Sequence, residues 1–80
     1  MRARVEVAFR DGVLDPEAVA IERALGSLGF DGVRGVRRAK VIELDLDAGD
    51  HASAEAQVEA MCARLLANPV IETYRISFAE

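Results

Sequence analysis

Two side chains in this sequence have the chemistry of a nucleophile or a proton carrier. The first is Cys62, the one cysteine of the chain, which lies in the helix-like run 60–63 (Ala-Met-Cys-Ala). A thiol acts as a nucleophile only where a base or a positive field stabilises its thiolate. Cys62 shares an apolar stripe with Val58 and Leu65, and no glycine-flanked turn presents it to solvent. We therefore interpret Cys62 as a small core side chain.

The second is His51, the one histidine, which follows Asp50 at a predicted helix start. One His and one Cys do not make a closed metal site without carboxylates to complete it. The acidic residues Glu43, Asp45 and Asp47 alternate, which places them on one solvated face of a strand, and they lack EF-hand spacing. The sequence therefore predicts no catalytic residue, no bound cofactor and no metal site in this chain.

The densest positive patch is the run Arg34, Arg37, Arg38 and Lys40. It is compatible with phosphate, with a single RNA strand, with an acidic protein surface, or with plain solvation. The run contains no aromatic residue for base stacking, and the chain has no glycine-rich phosphate loop. With 10 basic and 14 acidic side chains the net charge is −4, which argues against a duplex nucleic-acid binder.

Composition indicates a small globular domain. The 80 residues are 51% hydrophobic and 30% charged, and we expect a single domain spanning 1–80. No apolar run approaches the roughly 18 residues of a membrane span, so no membrane association is expected. A single cysteine fits a reducing, cytoplasmic location. A chain of this size buries only about 60% of its unfolded surface, so oligomerisation is expected.

The elements that position these residues follow from the hydrophobic periods. Residues 3–9 alternate as a half-buried strand. Asp15 and Pro16 are typical of a helix N-cap and its first residue, and Gly29 of a left-handed stop. The apolar face of this first helix is formed by Ala18, Ile21, Ala24, Leu25 and Leu28.

The second half of the chain is strand-like, then helical, then strand-like. Residues 33–47 fit either one strand bent near Gly35 or a hairpin turning around 38–40. Asp50 or Ser53 caps a second helix, and Asn68 is a plausible left-handed C-cap before Pro69. The stripe of this helix is formed by Ala54, Val58, Met61, Cys62, Leu65 and Leu66. The last strand, 70–78, places Tyr74, Ile76 and Phe78 on one face.

This order predicts an α+β fold, a small two-layer ferredoxin-like sandwich. Two helices pack on one face of a three- to four-stranded, mainly antiparallel sheet. The other face stays uncovered and carries Ala8, Val41 and Ile71. Uncovered edges and apolar positions favour contact with a partner chain.

Three stretches together resemble one family. They are 13–16 (Val-Leu-Asp-Pro), 36–44 (Val-Arg-Arg-Ala-Lys-Val-Ile-Glu-Leu) and 61–74, which runs from Met-Cys-Ala-Arg-Leu-Leu-Ala-Asn-Pro to Val-Ile-Glu-Thr-Tyr. In this order and spacing they resemble PurS, the small subunit of phosphoribosylformylglycinamidine (FGAM) synthase. The resemblance covers essentially the whole chain. Two departures are Ala18 and Ala39, where the family often has glycine.

The resemblance implies a role in purine biosynthesis. The synthase (EC 6.3.5.3) makes FGAM from formylglycinamide ribonucleotide (FGAR), glutamine and ATP. In the split enzyme a large synthetase subunit uses ATP and Mg, and a glutaminase subunit liberates ammonia. The PurS-like chain binds no cofactor, forms a homodimer (in isolation a dimer or a tetramer), bridges the two other subunits and aids ammonia transfer.

Two groups of residues are candidate partner contacts. Arg37, Arg38 and Lys40 are proposed for their charge density and their place in the motif. A second group, Asn68, Glu72 and Tyr74, is proposed because a helix stop and a strand start do not by themselves require Asn68 and Glu72. A rival hypothesis is a ferredoxin-like regulatory module that binds a small metabolite at a subunit seam.

Overall fold

The computed structural model describes residues 1–47 and 49–79. Its elements are β1 (Arg2–Phe9), α1 (Pro16–Ser27), β2 (Ala39–Asp45), α2 (His51–Met61) with a π-helical continuation (Cys62–Leu66), and β3 (Glu72–Ala79). The sheet order is β2-β1-β3, and both pairings are antiparallel. The predicted α+β fold class, with two helices and an antiparallel sheet, is confirmed. No helix in the described parts is long and apolar enough to cross a membrane.

The central strand β1 owes its position to the alternation of its side chains. Ala3, Val5 and Val7 all point inward and are at most 2% exposed. Val5 lies opposite Ile42 on one side and Ile76 on the other, so this apolar row crosses the whole sheet, whereas Val7 lies opposite Lys40 and Tyr74. The outer face bears charged cross-strand neighbours, namely Arg2 with Asp45, Arg4 with Glu43, and Glu6 with Arg75. That face is therefore solvated, as the alternation predicts.

The helix α2 covers the inner face over β1 and β3. Asp50 caps it, because its Oδ1 accepts a hydrogen bond from the Ser53 amide at 2.7 Å. Ala54, Val58 and Cys62 are fully buried, and Val58 and Cys62 belong to the core cluster with the inward residues of β1. One side of the two-layer sandwich is therefore built as the sequence predicts.

The predicted stripe of α2 fails at its last turn. Leu65 is 82% exposed, whereas Leu66 is half-buried and Ala67 is buried. The cause is the π-helical turn, in which the Ala67 amide donates to the Cys62 carbonyl five residues back, at 3.1 Å. Because the turn holds one extra residue, Leu65 rotates outward and the next two positions rotate inward. The predicted packing of Leu65 was wrong for this reason.

The helix α1 has the predicted ends but not the predicted neighbours. Asp15 accepts hydrogen bonds from the amides of Glu17 and Ala18, and Gly29 adopts φ +94° beyond the last turn. Among the described residues, none in α1 belongs to the core cluster, and Ala18 alone is buried in this helix. The described chain is 51 Å long, with a radius of gyration of 16.2 Å. A compact chain of this length would have about 12 Å. Contrary to expectation, α1 projects from the sheet and does not pack on it.

The segment 33–38 forms neither the bent strand nor the hairpin considered above. These residues have no strand pairing, and β2 begins at Ala39, which lies opposite Ala8 near the end of β1. A strand needs a neighbour for its backbone groups, and β1 extends only one residue, Phe9, beyond this point. The segment therefore returns from α1 to the sheet as irregular chain.

Candidate functional site

The two side chains considered for catalysis, Cys62 and His51, lie at opposite ends of α2. Cys62 is fully buried, and burial together with the Glu59 carboxylate raises the pKa of its thiol. A buried thiol with a raised pKa is a poor nucleophile. His51 is on the surface. Its ring meets that of Phe78 edge to face, with 4.5 Å between the ring centroids, and its Nδ1 lies 3.6 Å from Glu55 Oε2. Within residues 1–47 and 49–79, no cluster of His, Cys, Asp or Glu could hold a metal ion.

In the basic run, Arg38 is engaged inside the chain. Its Nη2 and Nε lie 2.8 and 3.1 Å from the two carboxylate oxygens of Asp15, the helix N-cap, and Nη1 contacts Glu17. The hydrogen bond from Arg38 holds the pKa of Asp15 below its ordinary value, and the same contact raises the pKa of Arg38. Arg38 therefore fastens the end of the returning segment to the start of α1.

Arg37 and Lys40 are the other two residues of the basic group that was predicted to contact a partner. Both are exposed, and neither has a salt-bridge partner among the described residues. Arg37 lines an open groove of about 440 Å³ between the end of β1 and the base of α1, with Phe9 and Leu14 on its walls. These two cations are available to an acidic or anionic partner surface.

The turn between α2 and β3 is closed by its own side chains. The backbone amide of Asn68 donates to Glu72 Oε1 at 2.7 Å, and the side-chain Oδ1 of Asn68 accepts from the backbone amide of Val70 at 3.0 Å. Arg10 donates from Nε and Nη2 to the Pro69 carbonyl at 3.2 and 2.9 Å. These bonds explain why Asn68 and Glu72 are needed here, beyond stopping a helix and starting a strand.

Asn68 does not adopt the predicted left-handed backbone. Among the described residues, positive φ occurs at two glycines only. The orphan carbonyl of Asn68 is satisfied instead by the amides of Ile71 and Glu72, at 3.2 and 2.8 Å. The prediction of a left-handed C-cap was wrong because the π-helical turn already ends the helix at Leu66.

Tyr74, the last predicted contact residue, lies beside α2. Its hydroxyl donates to Glu59 Oε2 at 2.7 Å, and this bond raises the pKa of Tyr74. The residue as a whole is 37% exposed. The structure thus brings Tyr74 to α2 and Arg38 to α1, so the six predicted residues do not form one cluster.

Comparison with known proteins decides the family. The PurS family model, described as phosphoribosylformylglycinamidine (FGAM) synthase, matches residues 2–80. This chain belongs to the PurS family. The recognition made from the three sequence stretches is confirmed.

Curated PurS proteins resemble the chain along its length. The FGAM synthase subunit PurS of Synechocystis is 51% identical over 71 residues, which cover 89% of this chain and 71% of the relative. The subunit PurS of Archaeoglobus fulgidus is 42% identical over 80 residues, which cover both chains completely.

Solved PurS structures share the fold. Bacillus subtilis PurS matches with a TM-score of 0.88 at 38% identity, covering 99% of this chain and 98% of that one. A chain in the structure of PurLQS from Thermotoga maritima matches with a TM-score of 0.87 at 33% identity, covering 95% and 93%.

Several surface residues of this PurS chain escaped prediction. Leu65 and Val70 flank the α2–β3 turn and are 82% and 78% exposed. Arg10, which holds that turn, is 59 residues from Pro69 in sequence, and no local pattern signals such a contact. A second exposed apolar group lies on and around α1 and comprises Leu14, Val19, Ile21, Leu28 and Phe30. The amphipathic pattern of α1 placed Ile21 and Leu28 on the face that was expected to pack on the chain's own sheet, and both are exposed.

Proposed function

We propose that this chain is the non-catalytic small subunit of a split FGAM synthase in purine biosynthesis. It acts as a homodimer that bridges the glutaminase and the synthetase subunits. The observation that carries this proposal is the PurS family match over residues 2–80. A further support is that a homologous chain occurs in the PurLQS structure of Thermotoga maritima.

The chemistry of the reaction explains the need for such a subunit. Glutamine hydrolysis releases ammonia at one active site, and the amide oxygen of FGAR is replaced at another with the use of ATP. Only neutral ammonia attacks, because the ammonium ion has no lone pair. Assembly that excludes water between the two sites keeps the ammonia unprotonated and prevents its escape. The bridging chain aids this transfer without bonding to the substrate.

The groups present in the chain fit this passive role. A glutaminase requires a cysteine activated by a base and an orienting group. Cys62 is buried in the core instead, and burial raises the pKa of its thiol. We assign the binding of ATP and Mg to the synthetase subunit. We place the assembled complex in the cytoplasm.

Arg37 and Lys40 are the residues we assign to direct contact with the other subunits. They are exposed, lack intramolecular ion pairs within the described parts, and belong to the stretch 36–44 that carries the family resemblance. Arg38, Asn68, Glu72 and Tyr74 make the internal contacts described above and act by positioning the surface. Charged contacts of this kind steer association and fix the register of the complex.

For the metabolite-binding hypothesis we consider the open groove beside Arg37. Its volume is within the range of ligand pockets, but ligand pockets enclose most of the ligand surface, whereas this groove is open to solvent. Arg38, one of the cations on its wall, is already bound by Asp15. These observations favour the bridging role.

Gel filtration of the three mixed subunits tests the bridging role. We expect a ternary complex when this chain is present, and no stable complex of glutaminase with synthetase when it is omitted. A full complex without this chain would refute the proposal.

A further inference from the structure

Two large apolar side chains beside the α2–β3 turn are exposed to solvent. Leu65 and Val70, which we call the exposed pair, are 82% and 78% exposed, the highest values among the large apolar residues in the described parts of the chain. Single exposed apolar side chains are ordinary, but two of them at one short turn form a local apolar patch. The exposed pair is therefore a candidate contact surface.

The last turn of the helix is distorted in a way that moves Leu65 outward. In a regular helix Leu65 would continue the buried stripe of Val58 and Cys62. The π-helical turn, closed by the bond from the Ala67 amide to the Cys62 carbonyl, turns Leu66 and Ala67 toward the core and leaves Leu65 at the surface. Such turns are rare and are found frequently at functional sites. A polar side chain would fit the same exposed position, so the outward leucine indicates a contact.

Hydrogen bonds hold the turn that carries the exposed pair. The backbone amide of Asn68 donates to Glu72, and the Asn68 carbonyl accepts from the amides of Ile71 and Glu72. At the end of β1, the Arg10 side chain donates twice to the Pro69 carbonyl, and the Arg10 amide donates to the Ile71 carbonyl at 2.8 Å. An ordered surface loses little entropy when a partner covers it. The exposed pair is therefore preorganised for binding.

The exposed pair and Lys40 lie at the same end of the sheet but at opposite edges. Phe9, the last residue of β1, lies opposite Glu72 in β3, and Ala8 lies opposite Ala39 in β2. The turn before β3 and the start of β2 thus flank the end of β1, which is the central strand. Two strand spacings, roughly 10 Å, separate the two edges. A chain that bridges two proteins has two separate surfaces available here.

We propose that the exposed pair docks one of the two other synthase subunits, the one that meets the β3 edge, by entering an apolar pocket with a carboxylate at its rim. This inference rests on the bridging role of the proposed function and names the surface that one bridged subunit binds. Arg64, the residue before Leu65, is exposed and has no salt bridge within the described parts, so it is free to pair with such a carboxylate. Burial of the apolar side chains supplies affinity, and the ion pair fixes orientation.

Photocrosslinking in the assembled complex tests this contact. A photoreactive phenylalanine derivative replaces Leu65 in one sample and Ser77, an exposed residue on the outer face of the sheet, in the control. Mass spectrometry identifies the linked protein. We expect position 65 to link to one of the two other subunits and position 77 to give no link to that subunit.

The other outcomes overturn the proposal in distinct ways. A link from position 65 to a second copy of this chain would place the exposed pair in an interface between copies. No link, in a complex that gel filtration shows to be assembled, would remove the pair from any interface, and equal links from both positions would show that the contact is not specific to the pair. If the three wild-type subunits do not assemble at all, the bridging role itself fails, and the inference fails with it.

A set of variants gives an independent measurement. Leu65→Ser combined with Val70→Ser should weaken binding to the linked subunit by about 30-fold or more and leave binding to the other subunit within about threefold. Ala63→Ser, the control, adds the same hydroxyl at an exposed position of the π-helical turn and should leave both affinities within about threefold. The thermal midpoint should stay near that of the wild type, because both replaced side chains are exposed. Unchanged binding by the double variant, or equal losses for both subunits, would contradict the proposal.

Discussion

The Arg38 guanidinium and the Asp15 carboxylate, 23 residues apart, meet at 2.8 and 3.1 Å and join the start of α1 to the end of the segment that returns from it. Asp15 at the same time caps α1 through the amides of Glu17 and Ala18. One carboxylate therefore starts the helix and receives the returning chain. This contact joins the start of α1 to the chain that leads into β2.

Arg38→Ala should therefore loosen α1 and the segment that returns from it, and lower the thermal midpoint of unfolding. Arg34→Ala, at an exposed position of the same basic run, should leave the midpoint nearly unchanged. The contact lowers the pKa of Asp15 in the folded state, so its contribution is present above the ordinary carboxyl pKa of 3.8 and is lost as the pH falls below it. Unfolding followed from pH 7 into acid should show the gap between wild type and Arg38→Ala closing below that value. A gap that stays constant with pH would contradict this role of Asp15.

Arg37→Glu combined with Lys40→Glu should weaken assembly with the other two subunits. Reversing two exposed charges removes attraction to an acidic surface and adds repulsion, so we expect a loss of about tenfold or more in affinity and a changed dependence on salt. The affinity of each variant for the immobilised partner subunits, measured at several salt concentrations, checks this. The single variant Arg34→Glu is the charge control, and circular dichroism should show all variants folded. Wild-type association of the double variant would exclude these residues from the interface.

Cys62→Ser should reduce stability and leave turnover of the complex unchanged. The side chain is fully buried in the core, so a hydroxyl without a hydrogen-bond partner there costs roughly 1–3 kcal/mol. Cys62→Ala removes the sulfur without adding a polar group and separates the loss of packing from the burial of a hydroxyl. Denaturant unfolding gives the free energies, and glutamine-dependent product formation gives the turnover. A stable Cys62→Ser variant with no turnover would point to a catalytic thiol.

Glu72→Ala should destabilise the α2–β3 turn, because the backbone amide of Asn68 loses its acceptor, Glu72 Oε1, which lies at 2.7 Å. The expected cost is roughly 1 kcal/mol, measured by denaturant unfolding. Glu72→Gln retains an acceptor oxygen and should cost less. If Glu72→Gln and Glu72→Ala weaken assembly equally without any change in stability, the carboxylate contacts a partner directly.

Local signals in the sequence predicted the elements well. Asp15, Pro16 and Gly29 mark the ends of α1, and Asp50 marks the start of α2, because caps and breakers act over a few residues. The alternation in β1 predicted the buried face at Ala3, Val5 and Val7 for the same reason.

What the sequence did not reveal depends on distant contacts or on a change of helical period. Leu65 was placed on the buried stripe because a constant period of 3.6 was assumed, and the π-helical turn breaks that period. The projection of α1 depends on the contact between Asp15 and Arg38, and the fixed α2–β3 turn on Arg10, which are separated from their partners by 23 and 59 residues. No local sequence pattern signals a contact between residues so far apart in the chain. The residues that we propose as partner contacts were likewise chosen by which cations lack an ion pair in the folded, described parts of the chain, and this depends on contacts that no local pattern signals.

The most direct measurement of the central claim compares two sources of nitrogen. FGAM formation by the synthetase and glutaminase subunits is measured with and without this chain, once with glutamine and once with ammonium chloride at a pH that supplies free ammonia. The bridging role predicts that the glutamine-driven reaction requires the chain, whereas the ammonia-driven reaction of the synthetase proceeds without it. Equal glutamine-driven rates with and without the chain would contradict the account, and calorimetric titration with small metabolites would then test the regulatory module.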